Sequence, residues 1–246
     1  MNNARCPSEG GSGAELFRVE DLHKVFQMGE KELHVLKGID MEIRQREALA
    51  ILGASGAGKT TFLHLLGALD RATRGRILYL GEDLLSKPDR ELAAFRNREI
   101  GFVFQFHYLL SDLSALENTA LPARISGSPG RVAEGKARAL LEELGLGDRL
   151  SHRPGKLSGG EQQRVAVARA MIMEPKIILA DEPTGNLDTQ TAVSVADLLL
   201  GLRDTHGITL VVVTHNPDFA GRMDRKVHMV DGRIVGAGPA RGSGAT

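Results

Sequence analysis

The sequence predicts an α/β fold with a parallel-sheet core, an antiparallel β layer and a helical subdomain set into it. Three observations carry this expectation. A short apolar run, Ala48 to Leu52, breaks at a glycine-rich turn, and an apolar-rich helical pattern follows (Phe62, Leu63, Leu65, Leu66, Leu69); together they form a strand–turn–helix unit. Further apolar runs at 100–104, 177–180 and 208–213 alternate with helical periodicity, the alternation that builds a parallel sheet. Residues 106–155 instead hold two helical patterns with no strand between them.

A chain of 246 residues suits one large domain, or one domain carrying an insertion. Residues 1–14 and 237–246 are small, polar and glycine-rich and read as disordered tails. That leaves 15–236 as one domain, with the helical subdomain at about 88–155. Lys and Arg number 31, as do Asp and Glu, so nothing in the charge balance marks a nucleic-acid binder or a polybasic membrane binder. The single cysteine, Cys6, gives no disulfide framework and points to a reducing compartment. It lies in a polar stretch without an apolar run beside it, which argues against a secretion signal or lipid-attachment site. No apolar run approaches the ~18 residues that span a bilayer. If the protein works at a membrane, a partner must hold it there.

In chain order, strand signals come first at Leu16–Val19, Leu33–Leu36 and Ile39–Ile43, as in an antiparallel layer beside a main sheet. Phe26 lies between the first two and is either core or a platform for an adenine ring. After the glycine-rich turn and its helix, Arg76–Leu80 is a strand closed by Gly81-Glu82. Residues 88–98 form a polar helix with Pro88 at its first turn. Ile100–Phe104 is a strand that ends at Gln105. Ala115–Ile125 and Val132–Leu144 are helical, the second with Ala137, Leu140, Leu141 and Leu144 on one face.

The chemistry begins at Gly53-Ala54-Ser55-Gly56-Ala57-Gly58-Lys59-Thr60-Thr61. This is the phosphate-loop pattern G-x-x-x-x-G-K-[ST] between a strand and a helix. Glycines let successive backbone N–H groups curl around a polyphosphate at the positive end of the following helix. Lys59 then reaches the β- and γ-phosphates, and the Thr60 hydroxyl ligates Mg²⁺. At Ser158-Gly159-Gly160-Glu161 a capping box opens a helix. Two glycines there disfavour helix by about 1 kcal/mol each relative to alanine, which makes sense if a phosphate approaches the backbone.

The run Ile177–Ala180 ends in Asp181-Glu182. Asp181 is placed to hold Mg²⁺ and Glu182 to polarise an attacking water. Asn186-Leu187-Asp188 precedes a helix with Ala192, Val195, Ala196, Leu199 and Leu202 on one face. The β-branched run to Val213 ends at Thr214-His215. Gln105 leaves its strand in the same way and is a surface residue, or a contact to Mg²⁺ or the attacking water. Ligands collect at the carboxyl ends of strands in open α/β sheets, so Lys59, Gln105, Asp181, Glu182 and His215 should meet on one rim.

Taken together, residues 16–236 resemble the ATP-binding-cassette ATPase family. GASGAGKT is similar to its Walker A loop, Gln105 to its Q-loop, LSGGE to its signature and ILADEP to its Walker B motif. Asn186-Leu187-Asp188 resembles the D-loop, His215 the switch histidine and Phe26 the adenine-stacking aromatic. Arg46-Glu47 departs from the Gly-Glu common in the family, which should alter a turn and leave the chemistry intact. The resemblance implies a phosphate-loop NTPase of the cassette type with a RecA-like core, binding ATP and Mg²⁺. It implies a head-to-tail pair of copies, each nucleotide held between Walker A of one and Ser158-Gly159-Gly160 of the other. Asp188 would link the two sites. Leu63–Asp70, Phe104–Leu110 and Ala115–Asn118 are similar to the lipoprotein-release and macrolide-export branch. That implies integral membrane permease subunits as partners, lipoprotein cargo indirectly, no nucleic acid, and a place on the cytoplasmic face of a bacterial inner membrane. The ATPase of a macrolide-type exporter, a cell-division complex and a soluble cassette ATPase are the alternatives.

Overall fold

The structure, a computed structural model, describes residues 13–239. Of the expected tails, 1–12 and 240–246 lie outside the described residues. Strands β1 (Glu15–Met28) and β2 (Lys31–Arg44) form a long hairpin, followed by β3 (Ala48–Leu52) and α1 (Lys59–Leu66). Next come β4 (Arg74–Tyr79), β5 (Glu82–Asp83), α2 (Asp89–Glu99) and β6 (Ile100–Phe104). Helices α3 (Ala115–Ile125), α4 (Gly130–Glu143) and α5 (Gly159–Met171) lead to β7 (Ile177–Asp181). The chain continues through α6 (Thr189–His206), β8 (Thr209–Val213), α7 (Pro217–Gly221), β9 (Arg225–Val230) and β10 (Arg233–Pro239).

Six strands make the main sheet in the order β10-β9-β3-β8-β7-β6, with β9, β3, β8, β7 and β6 parallel. The four-stranded sheet, β2-β1-β4-β5, is antiparallel throughout. Alternate residues of each central strand enter different cores. Leu49, Ile51, Ile177, Leu179, Val211 and Val213 join α1 and the antiparallel sheet in one core. Ala48, Ala50, Ile178, Ala180, Leu210 and Val212 join residues of α5 and α6 in the other. Burial on both faces is why these strands read as unbroken apolar runs. Phe62, Leu63, Leu65 and Leu66 of α1 are fully buried in the first core, which fixes the turn that precedes them.

Three expectations change. The three short strands expected between 16 and 43 are two strands of 14 residues each, turning at Gly29 with φ 64°. Register shifts along the pair interrupt the alternation that sequence reading relies on, and Phe26 therefore lies within β1, opposite Leu33. Helix α2, expected inside the helical subdomain, packs elsewhere. Its Leu92 and Phe95 lie in the core with Phe17 and Ile77, and the Phe95 ring meets Tyr79 edge-on at 4.8 Å. At the far end, residues 237–239 continue β10 against β9 and are not a tail.

Arg46 lies in the turn between β2 and β3. It adopts φ 63°, a conformation that costs a non-glycine residue about 1–2 kcal/mol, and its N–H donates to Thr209 Oγ1 at 2.9 Å.

Candidate functional site

The carboxyl ends of β3, β6, β7 and β8 open on one cleft of about 720 Å³, within the size range of small-ligand sites. Its wall includes Gly53, Ala54, Ser55, Gly56, Gly58, Lys59, Thr60 and Thr61 from the loop after β3. Gln105 enters from β6, Asp181 and Glu182 from β7, and His215 from β8. Leu33 and Val35 of the antiparallel sheet add an apolar side.

The loop conformation needs its glycines. Gly56 and Gly58 adopt φ 79° and 98°, values that L side chains resist. A Cβ at Gly53 would stand 2.3 Å from the Met229 carbonyl oxygen. Gly58 caps α1 with no side-chain hydrogen bond, and no acid lies in the first turn, so the helix offers its free N–H groups and positive end to an anion. Ala57, expected in this cradle, packs into the core and is not part of the cleft wall. Lys59 is 8% exposed, and its ammonium donates to the carbonyls of Gly53 at 2.8 Å and Ala54 at 2.9 Å. It is thus held over the loop.

Asp181 ends β7 with its Oδ1 buried and without a hydrogen-bond partner. Burial pushes its carboxyl above the usual carboxylate range, opposed by the hydroxyl of Thr60, which hydrogen-bonds it. An orphaned carboxylate oxygen beside a threonine hydroxyl fits a hard divalent cation, which takes oxygen ligands. No group of three or more His, Cys, Asp or Glu side chains suited to a metal occurs among the described residues. A cation here would need water or substrate oxygens as well, the usual habit of Mg²⁺.

Glu182 adopts φ 46°, and its N–H donates to the Val213 carbonyl at 2.9 Å. This hold aims the carboxylate at His215, whose Nδ1 lies 2.9 Å from Oε1. Gln105 Nε2 donates to Asn186 Oδ1 at 3.0 Å, and Asn186 Nδ2 to the Gln105 carbonyl at 3.3 Å.

The remaining expected residues lie apart from the cleft wall. Phe26 is 37% exposed and carries the Lys24 ammonium 4.7 Å from its ring centre. Ser158 caps α5 in the expected capping box with Glu161, and Gly159 and Gly160 form the first turn. Gly160 has a reason within this chain: a Cβ there would lie 2.5 Å from Thr191 Cγ2. Asp188 caps α6 through Thr191 N at 3.0 Å; its hydrogen bonds to Thr191, first through the side chain, hold its carboxyl below the usual range.

Sequence reasoning missed Gln163. It is 1% exposed, and its amide donates to the carbonyls of Pro183 at 2.8 Å and Phe104 at 3.4 Å. One side chain of α5 thus holds the ends of β6 and β7. A glutamine inside an otherwise apolar helix face was the available signal.

A phosphate loop whose cleft also holds a strand-end carboxylate pair, a glutamine and a histidine defines a phosphate-loop nucleotide hydrolase. A family model described as ABC transporter matches residues 36–185, and the chain belongs to that family. It is an ATP-binding and ATP-hydrolysing cassette subunit. Among curated relatives, the lipoprotein-releasing system ATP-binding protein LolD of Syntrophus aciditrophicus is 56% identical over 220 residues, covering 89% of this chain and 99% of that protein. The LolD protein of Geobacter metallireducens is 51% identical over 222 residues, covering 90% and 99%. Among solved structures, the dimeric bacterial ABC transporter cassette MJ0796 superposes with a TM-score of 0.85 at 37% identity, covering 92% of this chain and 100% of that one. A post-hydrolysis dimer of MJ0796 bound to ADP and phosphate gives 0.85 at 36% identity with the same coverage.

Proposed function

We propose that this chain powers the release of outer-membrane-directed lipoproteins from the inner membrane, as a peripheral subunit bound to integral membrane permease subunits on the cytoplasmic face. The observation that carries the ATPase half of the reading is the convergence of Lys59, Thr60, Gln105, Asp181, Glu182 and His215 on one cleft. The likeness to LolD proteins over nine-tenths of the chain supports the choice of cargo. No helix among the described residues is long and apolar enough to cross a membrane, so the membrane-spanning part falls to a partner.

In this reading two copies pair head to tail around two ATP molecules, as the likeness to the MJ0796 dimer supports. The loop from Gly53 to Thr61 wraps the phosphates with its N–H groups, and Lys59 turns from the Gly53 and Ala54 carbonyls to the β- and γ-oxygens. Thr60, Gln105 and Asp181 would hold Mg²⁺, which neutralises charge on the phosphates when bound. Glu182 accepts a proton from the attacking water, and His215 fixes that carboxylate and reaches the γ-phosphate. Phe26, beside Leu33 at the cleft's edge, stacks on adenine. Ser158, Gly159 and Gly160 meet the phosphates of the other copy's nucleotide, which is why they stand outside their own cleft. Asp188 lies next to that contact and links the two sites.

Affinity purification from detergent-solubilised membranes of the source cell, with mass spectrometry of what co-purifies, tests the cargo. Membrane subunits with large periplasmic domains and bound lipoproteins are the expected result. A macrolide-exporter or cell-division partner would overturn lipoprotein release and keep the ATPase; no membrane partner would overturn transport.

A further inference from the structure

The segment after β6 alternates strictly in exposure. Phe106, Tyr108 and Leu110 stand out at 62%, 65% and 50%, while Gln105, His107 and Leu109 turn inward. Tyr108 sits at φ 47°, a strained conformation that persists only where its surroundings hold it. Most of the holding comes from α5. The Arg169 guanidinium donates NH1 to the Tyr108 carbonyl and NH2 to the His107 carbonyl, both at 2.7 Å. Gln163 holds the Phe104 carbonyl at 3.4 Å. From the other side Asn118 accepts from Leu110 N at 2.8 Å.

Arg169 is the unusual member. No carboxylate pairs with it among the described residues, and burial lowers its pKa from the ordinary arginine value. A half-buried cation satisfied by two adjacent backbone carbonyls is a fork that lysine cannot reproduce. The helix that carries this fork begins at Ser158-Gly159-Gly160, three turns away.

We propose that Arg169 is a positioning residue that makes the 106–110 ridge and the Ser158–Gly160 helix start move as one body. Resting on the two-copy reading above, the inference is that closure of the signature on the other copy's ATP is felt at Phe106, Tyr108 and Leu110 through Arg169. Without the fork, α5 moves and the ridge does not follow.

Hydrogen exchange by mass spectrometry on the purified chain tests this, in a Glu182→Gln background with and without Mg·ATP. With Arg169 present, ATP is expected to slow exchange of the 106–110 amides by about tenfold, the scale of a hydrogen bond to a charged group. Exchange in 157–162 should slow in parallel. In Arg169→Met the 157–162 response remains and the 106–110 response disappears. Arg169→Lys, which keeps the charge and half the fork, gives a partial response and serves if the methionine variant does not fold. An equal 106–110 response with methionine or lysine overturns the proposal. So does a 157–162 response with no change at 106–110 when Arg169 is intact. If 157–162 itself ignores ATP, the two-copy reading falls and takes this inference with it.

Discussion

His215 and Glu182 hold each other at two points where β8 and β7 end. The imidazole Nδ1 lies 2.9 Å from Oε1, and the His215 N–H donates to Oε2 at 3.3 Å. The carboxylate is therefore oriented before substrate arrives, while its position in the cleft leaves it accessible to water. Glu182→Gln keeps the shape and removes the proposed base. Hydrolysis should fall by about 10²–10⁴-fold, the usual contribution of a general base, while Mg·ATP still binds. Static light scattering should then find a closed dimer accumulating with ATP. Wild-type turnover would sink the base assignment, and monomer alone the two-copy reading.

Asp181 gives a prediction in pH. Its carboxyl is pushed up by burial, so its contribution to stability is fully present below the unfolded value and is lost as pH rises through the folded value. At neutral pH the charged group, with Oδ1 unpartnered, burdens the metal-free protein. Asp181→Asn should raise the metal-free melting temperature at pH 7 by about 2–4 °C, as about 1 kcal/mol does in a protein of this size. The gain should vanish below the carboxylate range, and Mg²⁺-dependent hydrolysis should be lost. Calorimetry showing no gain at pH 7 would mean that the carboxylate is better satisfied than its geometry indicates.

Lys59 is held by the loop's own carbonyls at 2.8 and 2.9 Å, so Lys59→Ala removes the proposed phosphate contact and also two hydrogen bonds within the loop. ATP affinity should drop by at least about tenfold, the scale of one charge-assisted contact. Titration calorimetry with unchanged affinity would overturn the cradle reading.

The parts that could be read from sequence were those whose signal is local. Strands β3, β7 and β8 are buried on both faces, so each is a short apolar run, and the residues that leave them stand where the chain turns polar. The hairpin was harder because register shifts near Val19 and Leu22 break its alternation. Gln163 could not be placed from sequence, since its partners, Pro183 and Phe104, lie 20 and 59 residues away. The role of Arg169 depends on carbonyls more than 60 residues away. Gly160 was legible as a site of close approach, but the approaching group within this chain, Thr191, was not.

Gly160 turns that last point into a test. Replacing a helical glycine by alanine ordinarily stabilises by about 0.5–1 kcal/mol. Here the new Cβ would lie 2.5 Å from Thr191 Cγ2. Thr191 cannot swing aside cheaply, because a β-branched side chain is stiff at χ1 and its side chain hydrogen-bonds Asp188. Overpacking of this kind costs about 1–3 kcal/mol, so the clash outweighs the helix gain. Gly160→Ala should lower the melting temperature, by about 2–4 °C for each kcal/mol lost. Thr191→Ser deletes the offending methyl and keeps the hydroxyl, so the double variant should recover most of the loss. Thermal denaturation of the four proteins in this cycle measures the coupling. A single variant as stable as wild type, or a double variant with no recovery, would show that α5 and α6 do not meet at this point.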